Sequence, residues 1–200
     1  DRGRGVAQAL GGDWEVAFAE VQGALASADV ALANLESPLT GHPYSGAGLD
    51  LRADPAAARA LRTGGFDAVS LANNHALDAG PAGLEETITV LAQAGITALE
   101  PDFVGVLVWN DPAVWVLAFD DSRAPLGLEQ AAQAVAAAAR QADVVVVSIH
   151  WGGEYQAAPS GRQRAVAKAL AAAGADLIVG HGPHTLQTLA WVGDTLVAYS

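Results

Sequence analysis

The sequence predicts an α/β layered fold built on a mixed sheet, and three observations predict it. Alanine-rich stretches alternate with valine- and leucine-rich runs, the composition of helices packed on buried strands. The apolar runs are short and bounded by turn residues, as strands covered on both faces require. Their order is mostly β-α-β, with hairpins mixed in. The 200 residues are 52% hydrophobic and 16% charged, which excludes a disordered chain and leads to one expected domain over 1–200.

Taken in order, Trp14, Phe18, Val21 and Leu25 recur at helical spacing and predict a helix over 14–26. A buried strand over 30–33 ends in Asn34-Leu35-Glu36, and a Pro/Gly/Ser-rich loop follows over 37–48. Asp54 as N-cap and Pro55 at the first helical position open a helix that Gly64-Gly65 closes. A strand over 66–72 ends in Asn73-Asn74-His75, and a helix over 81–94 stops at Gly95. Strands are expected over 96–99, 103–109 and 114–119, the last two joined by a turn at Asn110-Asp111-Pro112. An alanine-rich helix over 128–141 leads to an apolar strand over 144–149, followed by His150-Trp151-Gly152-Gly153-Glu154-Tyr155. Ser160 and Gln163 form a capping box for a helix that ends at Gly174. A buried strand over 177–179 delivers Gly180-His181-Gly182-Pro183-His184, and a hairpin follows across Gly193-Asp194.

A formal net charge of −12 excludes a broad basic surface, so nucleic acid is not an expected partner. The same charge repels anionic lipid headgroups, whereas an anionic substrate remains possible because a bound cation reverses the local field. The absence of cysteine removes disulfides, thiolate metal sites and cysteine nucleophiles. No apolar run reaches the length of a membrane span, and no signal peptide is visible. The sequence opens at Asp1 without methionine and stops at Ser200 inside a predicted strand, so a piece of a longer protein is expected.

The chemistry gathers at the strand ends. Four buried strands finish in polar clusters: Asn34 with Glu36, Asn73-Asn74-His75, His150, and His181 with His184. In open α/β sheets, ligands bind beyond the carboxyl ends of parallel strands, where loops converge. Each cluster alone has an ordinary explanation, such as a hydrogen-bonded histidine, an asparagine turn or a solvated loop acid. Four together, carrying four of the five histidines, favour a site. Imidazole, amide and carboxylate donors without thiolates suit divalent Mn, Fe or Zn. Two such ions could clamp a phosphoryl or carbonyl group and activate water. Asp78, three residues after His75, either orients that imidazole or is a plain loop acid. Glu154 and Tyr155 are candidates for lining the cleft, and Arg162 and Gln187 for contacting an anionic or amide substrate. Trp151 reads as a packing residue, Arg162 alternatively as a solvated surface group, and His42 as exposed.

These motifs jointly resemble the bacterial capsule-synthesis protein family, the CapA or poly-γ-glutamate biosynthesis (PgsA-like) group of the calcineurin-like metallophosphoesterase superfamily. The resemblance is carried by Asn34-Leu35-Glu36-Ser37-Pro38-Leu39-Thr40, by the stretch 65–78 with Asn73-Asn74-His75-Ala76-Leu77-Asp78, by His150 to Tyr155, and by the stretch 174–187 with Gly180-His181-Gly182-Pro183-His184. It implies a four-layer α-β-β-α sandwich. It implies metal-ligand roles for Asn74, His150, His181 and His184, and a bridging role for Glu36 or Asn34. His75 would contact the scissile group, stabilising the transition state or protonating the leaving group. The superfamily's first aspartate ligand would precede Asp1, and the loop after the strand at Ile96 is shortened here. Two functions follow from the resemblance: a metal-dependent hydrolase acting on a phosphoester or a related bond of an anionic polymer, or a non-catalytic polymer- or partner-binding component beside membrane-bound polymer-synthesis proteins. A metal-free domain that kept the loops for structure is the third. The family's usual location is the outer face of the bacterial membrane or beyond it.

Overall fold

The computed structural model describes residues 5–46, 48–100, 109–110 and 112–200. The chain divides into two compact units, Asp1–Leu71 with His75–Ala98, and Ala72–Asn74 with Leu99–Ser200.

The first unit carries a three-stranded sheet in the order β1-β2-β3, formed by Leu32–Asn34, Ala68–Ser70 and Thr97–Leu99. β1 and β2 run parallel, with Asn34 opposite Ser70 at their carboxyl ends. Parallel neighbours need crossovers. Helix α3 (Ala57–Gly64) supplies the one between β1 and β2 and, with α4 (Gly80–Gln93) and the loops, buries Leu39, Leu61, Phe66, Val69, Leu71, Leu91 and Ile96 in one core. Gly65 ends α3 at φ 103, a conformation that disfavours other residues. Asp54 acts just ahead of that helix: its carboxylate accepts from the Ala56 amide at 2.8 Å, and α3 itself begins at Ala57.

The N-terminal segment differs from its prediction. A short helix α1 covers Val6–Ala9, and the expected helix over 14–26 is broken into a 3₁₀ turn, Trp14–Phe18, and a short α2, Gln22–Ala26. No residue of either piece is buried, and Val21 is exposed. Periodicity alone rarely sustains a helix without an apolar face to pack. The segment is anchored instead by Phe18, whose ring meets Phe66 edge-on at 5.2 Å.

The second unit holds a six-stranded mixed sheet in the order β4-β5-β6-β7-β9-β8. Its strands are β4 Trp109–Asn110, β5 Ala113–Asp120, β6 Val144–His150, β7 Leu177–His181, β8 Leu189–Val192 and β9 Thr195–Ala198. The central four are parallel, and β4 and β8 are antiparallel edges. β4 pairs with the start of β5 across the expected turn, while 103–108 of the predicted strand lie outside the described residues. Helices α5 (Leu128–Ala139) and α6 (Gly161–Ala172) pack on each other, and their core includes Val135, Val147, Ile149, Trp151, Val166, Leu170 and Ile178. The capping box of Ser160 and Gln163 is formed in full at the start of α6. Among the described residues, no helix is long and apolar enough to cross a membrane.

Candidate functional site

In the first unit, β1 delivers Asn34 and then Glu36, both half-buried. The Leu35 amide donates to the Ser70 carbonyl at 2.9 Å, extending the β1–β2 pairing by one residue before the chain turns away. His75 stands between two carboxylates. Its Nδ1 lies 2.9 Å from Asp78 Oδ2, and its Nε2 lies 3.8 Å from Glu36 Oε1. An ionised carboxylate can only accept, so Nδ1 carries a proton toward Asp78. The Glu36 separation exceeds a hydrogen bond and leaves an electrostatic contact. A backbone turn fixes the first pairing, because the Asp78 amide donates to the His75 carbonyl at 3.0 Å.

The Pro/Gly/Ser-rich loop is tied to this turn. Ser45 donates to the Asp78 carbonyl through its amide at 2.7 Å and its hydroxyl at 3.1 Å. Arg52 holds Asp50 with Nε at 2.8 Å and Nη2 at 2.7 Å, donates to the His42 carbonyl, and lies 5.9 Å over the Tyr44 ring. His42 itself is about half exposed, 3.9 Å from Glu86, and belongs to no cluster of predicted ligands. Ser45 and Arg52 are not evident from sequence, since their ties depend on how the loop folds back.

In the second unit, register does the assembling. Asp120, His150 and His181 end three adjacent parallel strands and stand opposite one another, Asp120 to His150 and His150 to His181. Neighbouring strands lie about 4.8 Å apart, so the two imidazole-bearing positions share one edge of the sheet. His150 is buried, and burial pushes the His181 imidazole down to about 4, leaving it neutral near neutral pH with a lone pair available. Two glycines make the approach possible. A Cβ at Gly182, whose φ is +110, would stand 2.9 Å from His150 Nε2, and one at Gly180 would stand 2.3 Å from Trp151 Nε1. Trp151, as expected for a packing residue, is fully buried, stacks on Tyr199 at 5.7 Å and donates to the Tyr199 carbonyl at 2.9 Å.

Asn74 falls in the same compact unit as these histidines. Its Oδ1 is buried and has no hydrogen-bond partner among the described residues. Such an acceptor costs about 1–3 kcal/mol unless something satisfies it, and a cation does so as well as a donor. The donor set of Asn74, His150, His181 and His184 fits a divalent metal in kind: amide oxygen and imidazole nitrogens. Among the described residues, no three His, Asp or Glu side chains form such a group by themselves.

The predicted substrate contacts fare differently. Glu154 and Tyr155 are exposed, and the Tyr155 ring faces His184 at 6.1 Å. Arg162 is engaged internally, holding Asp121 with Nη2 at 2.6 Å and Nε at 3.0 Å and donating to the Leu126 carbonyl at 2.8 Å. Gln187 accepts from Gln163 at 3.0 Å and donates to the Gln156 carbonyl at 2.8 Å. Asp120 escapes the sequence reading, although it obeys the same rule of a polar residue closing a buried strand. Its carboxylate accepts from the Ser122 amide at 2.8 Å and from the Ser122 hydroxyl. A hollow of about 490 Å³ lined by Lys168, Asp176 and Asp194 lies at the opposite, amino end of β7 and β9.

A family model described as "Bacterial capsule synthesis protein PGA_cap" matches residues 2–99 and 109–200. The "PGA biosynthesis protein CapA" of Bacillus subtilis (strain 168) is 28% identical over 92% of this chain and 54% of its own length. The "Capsule biosynthesis protein CapA" of Bacillus anthracis is 31% identical over 92% of this chain and 52% of its own length. A "Probable polyglutamine synthesis accessory protein" of Mycobacterium tuberculosis is 29% identical over 86% of this chain and 54% of its own length. The chain thus spans about half the length of the curated relatives it matches. A solved structure of a hypothetical protein from Thermus thermophilus superposes with a TM-score of 0.61, covering 93% of this chain and 68% of that one, at 17% identity. At that identity the likeness shows the fold alone.

Proposed function

The chain belongs to the bacterial capsule synthesis protein family PGA_cap, and from that premise we propose that it serves the synthesis of a poly-γ-glutamate-like surface polymer through a metal-dependent, phosphoesterase-like hydrolase site. The reading includes a calcineurin-like four-layer sandwich for the complete fold and a working place at the outer face of the membrane. The observation that carries the site is the buried Asn74 Oδ1, which has no hydrogen-bond partner among the described residues and shares a unit with His150 and His181.

In this reading Asn74, His150, His181 and His184 hold one or two divalent ions. What the ions supply is Lewis acidity toward a phosphoryl or carbonyl oxygen and an acidified water. The chain's own residues do the rest. Asp78 orients the His75 ring by its 2.9 Å contact at Nδ1, which leaves Nε2 to meet the scissile group or its leaving oxygen. Tyr155, exposed beside His184, and the exposed Glu154 receive the polymer.

A second reading is a polymer- or partner-binding component without turnover. It is favoured by the absence, among the described residues, of a ready-made group of three His, Asp or Glu. The name of the mycobacterial relative, an accessory protein, points the same way.

One experiment separates the two. Elemental analysis of the full-length protein, paired with turnover of a generic phosphodiester before and after chelation, is expected to show bound Mn, Fe or Zn and activity lost with it. His150→Ala should lower metal content and abolish turnover. Metal without turnover would favour polymer binding, and no metal in either protein would sink the hydrolase.

A further inference from the structure

Two residues other than glycine have a left-handed backbone among the described residues, Tyr155 at φ 58 and His184 at φ 52. They face each other, with ring centroids 6.1 Å apart. An L-residue holds that conformation only where its surroundings over-determine it. Here the surroundings are two loops, one after β6 and one after β7, tied together at three points. The Trp151 amide donates to the His181 carbonyl at 2.9 Å, and the Tyr155 amide to the Pro183 carbonyl at 2.7 Å. The third tie is made by a side chain: Gln187 Nε2 donates to the Gln156 carbonyl at 2.8 Å.

The direction of that third tie is set from inside the core. Gln163 is 1% exposed, and its Oε1 accepts from the Ser160 amide at 2.9 Å as one arm of the α6 capping box. Its Nε2 must then point the other way, and it donates to Gln187 Oε1 at 3.0 Å. With its oxygen so occupied, Gln187 presents Nε2 to Gln156. Gly152, at φ +75, leaves the space that the Gln163 amide occupies, since a Cβ there would stand 2.8 Å from it. A helix cap thus dictates the orientation of two amides in series, and the second closes the loop on which His184 sits.

We propose that Gln163 and Gln187 form a positioning clamp that holds His184 and Tyr155 in the strained conformations from which they serve the site. The proposal rests on the metal-centre reading above for what His184 does, and on the hydrogen bonds alone for how it is held. Neither glutamine is a catalytic residue in this scheme. The relay has one polarity, so it distinguishes glutamine from glutamate at position 163. A carboxylate there still accepts from the Ser160 amide and keeps the cap, but offers no donor to Gln187.

The test uses the full-length protein with Gln163→Glu. In the metal-free state, amide hydrogen exchange over 182–188 should quicken at least about ten-fold, while exchange at the start of α6 stays at the wild-type rate because the cap survives. A calorimetric titration with Mn²⁺ alone should show affinity weakened by about 10–100-fold, the usual effect of removing a group that orients a ligand. Should Gln163→Glu fail to fold, Gln187→Met breaks the same bond from outside the helix and is read by the same two measurements. Unchanged exchange together with unchanged Mn²⁺ affinity would overturn the clamp. Wild-type protein that takes up no Mn²⁺ overturns the metal reading instead, and the exchange comparison then decides the clamp by itself.

Discussion

In the first unit His75 sits between Asp78 and Glu36, with a carboxylate near each ring nitrogen. In the second, His150 and His181 close two neighbouring strands of valine and isoleucine, and burial drives the His181 imidazole well below its ordinary value, to about 4. The side chain is the same and the surroundings are opposite. A ring with a carboxylate 2.9 Å from Nδ1 has its N–H oriented, which leaves the other nitrogen to face a reacting group. A desolvated ring is kept neutral with a lone pair free to donate, which suits a metal. What an imidazole can do thus follows the dielectric and the partners around it, and the three experiments below probe those supports.

The largest effect is expected from Trp151→Ala. The indole is fully buried, stacks on Tyr199 and donates to its carbonyl, bridging the carboxyl ends of β6 and β9 next to both strand-end histidines. Truncation leaves a cavity and an unpaired carbonyl, for a loss of about 3–5 kcal/mol in unfolding free energy by urea titration. A loss below about 1 kcal/mol would show that the apolar edge is held by something other than this side chain.

The second experiment concerns the desolvated histidine itself. The unfolded chain binds a proton at His181 near pH 6.5, and the folded chain only near about 4. Between those values the unfolded state carries more protons, so stability falls as pH drops through that window and is flat above it. The contribution is at most about 3 kcal/mol, read as the difference between wild-type and His181→Gln urea midpoints in metal-free protein. Two parallel curves across the window would mean that the ring is better solvated than its burial indicates, and the contrast with His75 would narrow.

That contrast is only partly legible in sequence. The strands that end in Asn34, His150 and His181 are visible because parallel strands covered by helices read as short apolar runs. The capping box of Ser160 and Gln163 is visible because it is local. What surrounds each histidine is less accessible. The pairing of His75 with Asp78 spans one turn and can be suspected from spacing. The 3.8 Å approach of Glu36, and the bond from Gln163 to Gln187, depend on segments far apart in sequence. Arg162 shows the cost of lacking that information: read alone it is a candidate for an anionic or amide substrate or a solvated surface group, yet folded it grips Asp121. The helix expected over 14–26 breaks for the same reason, because its apolar face finds too little to pack against.

Asp78→Asn gives the smallest and most discriminating effect, because it changes the partner of His75 and almost nothing else. The substituted side chain is isosteric and the Ser45 bonds to the Asp78 carbonyl involve the backbone, so stability should move by less than about 1 kcal/mol. An amide can offer its NH₂ to Nδ1 as readily as its oxygen, so the preference for a proton on Nδ1 is lost. Nitrogen NMR of the His75 ring should report a shift of tautomer toward Nε2–H in metal-free protein. Turnover of the phosphodiester should fall by about 10–100-fold with little change in bound metal, as when a group that orients a reacting ring is removed. A ring that keeps its tautomer would show that Glu36 or the loop, rather than Asp78, sets the polarity of the first unit's histidine. A turnover that falls together with metal content would place His75 among the ligands and erase the division of labour between the two kinds of imidazole.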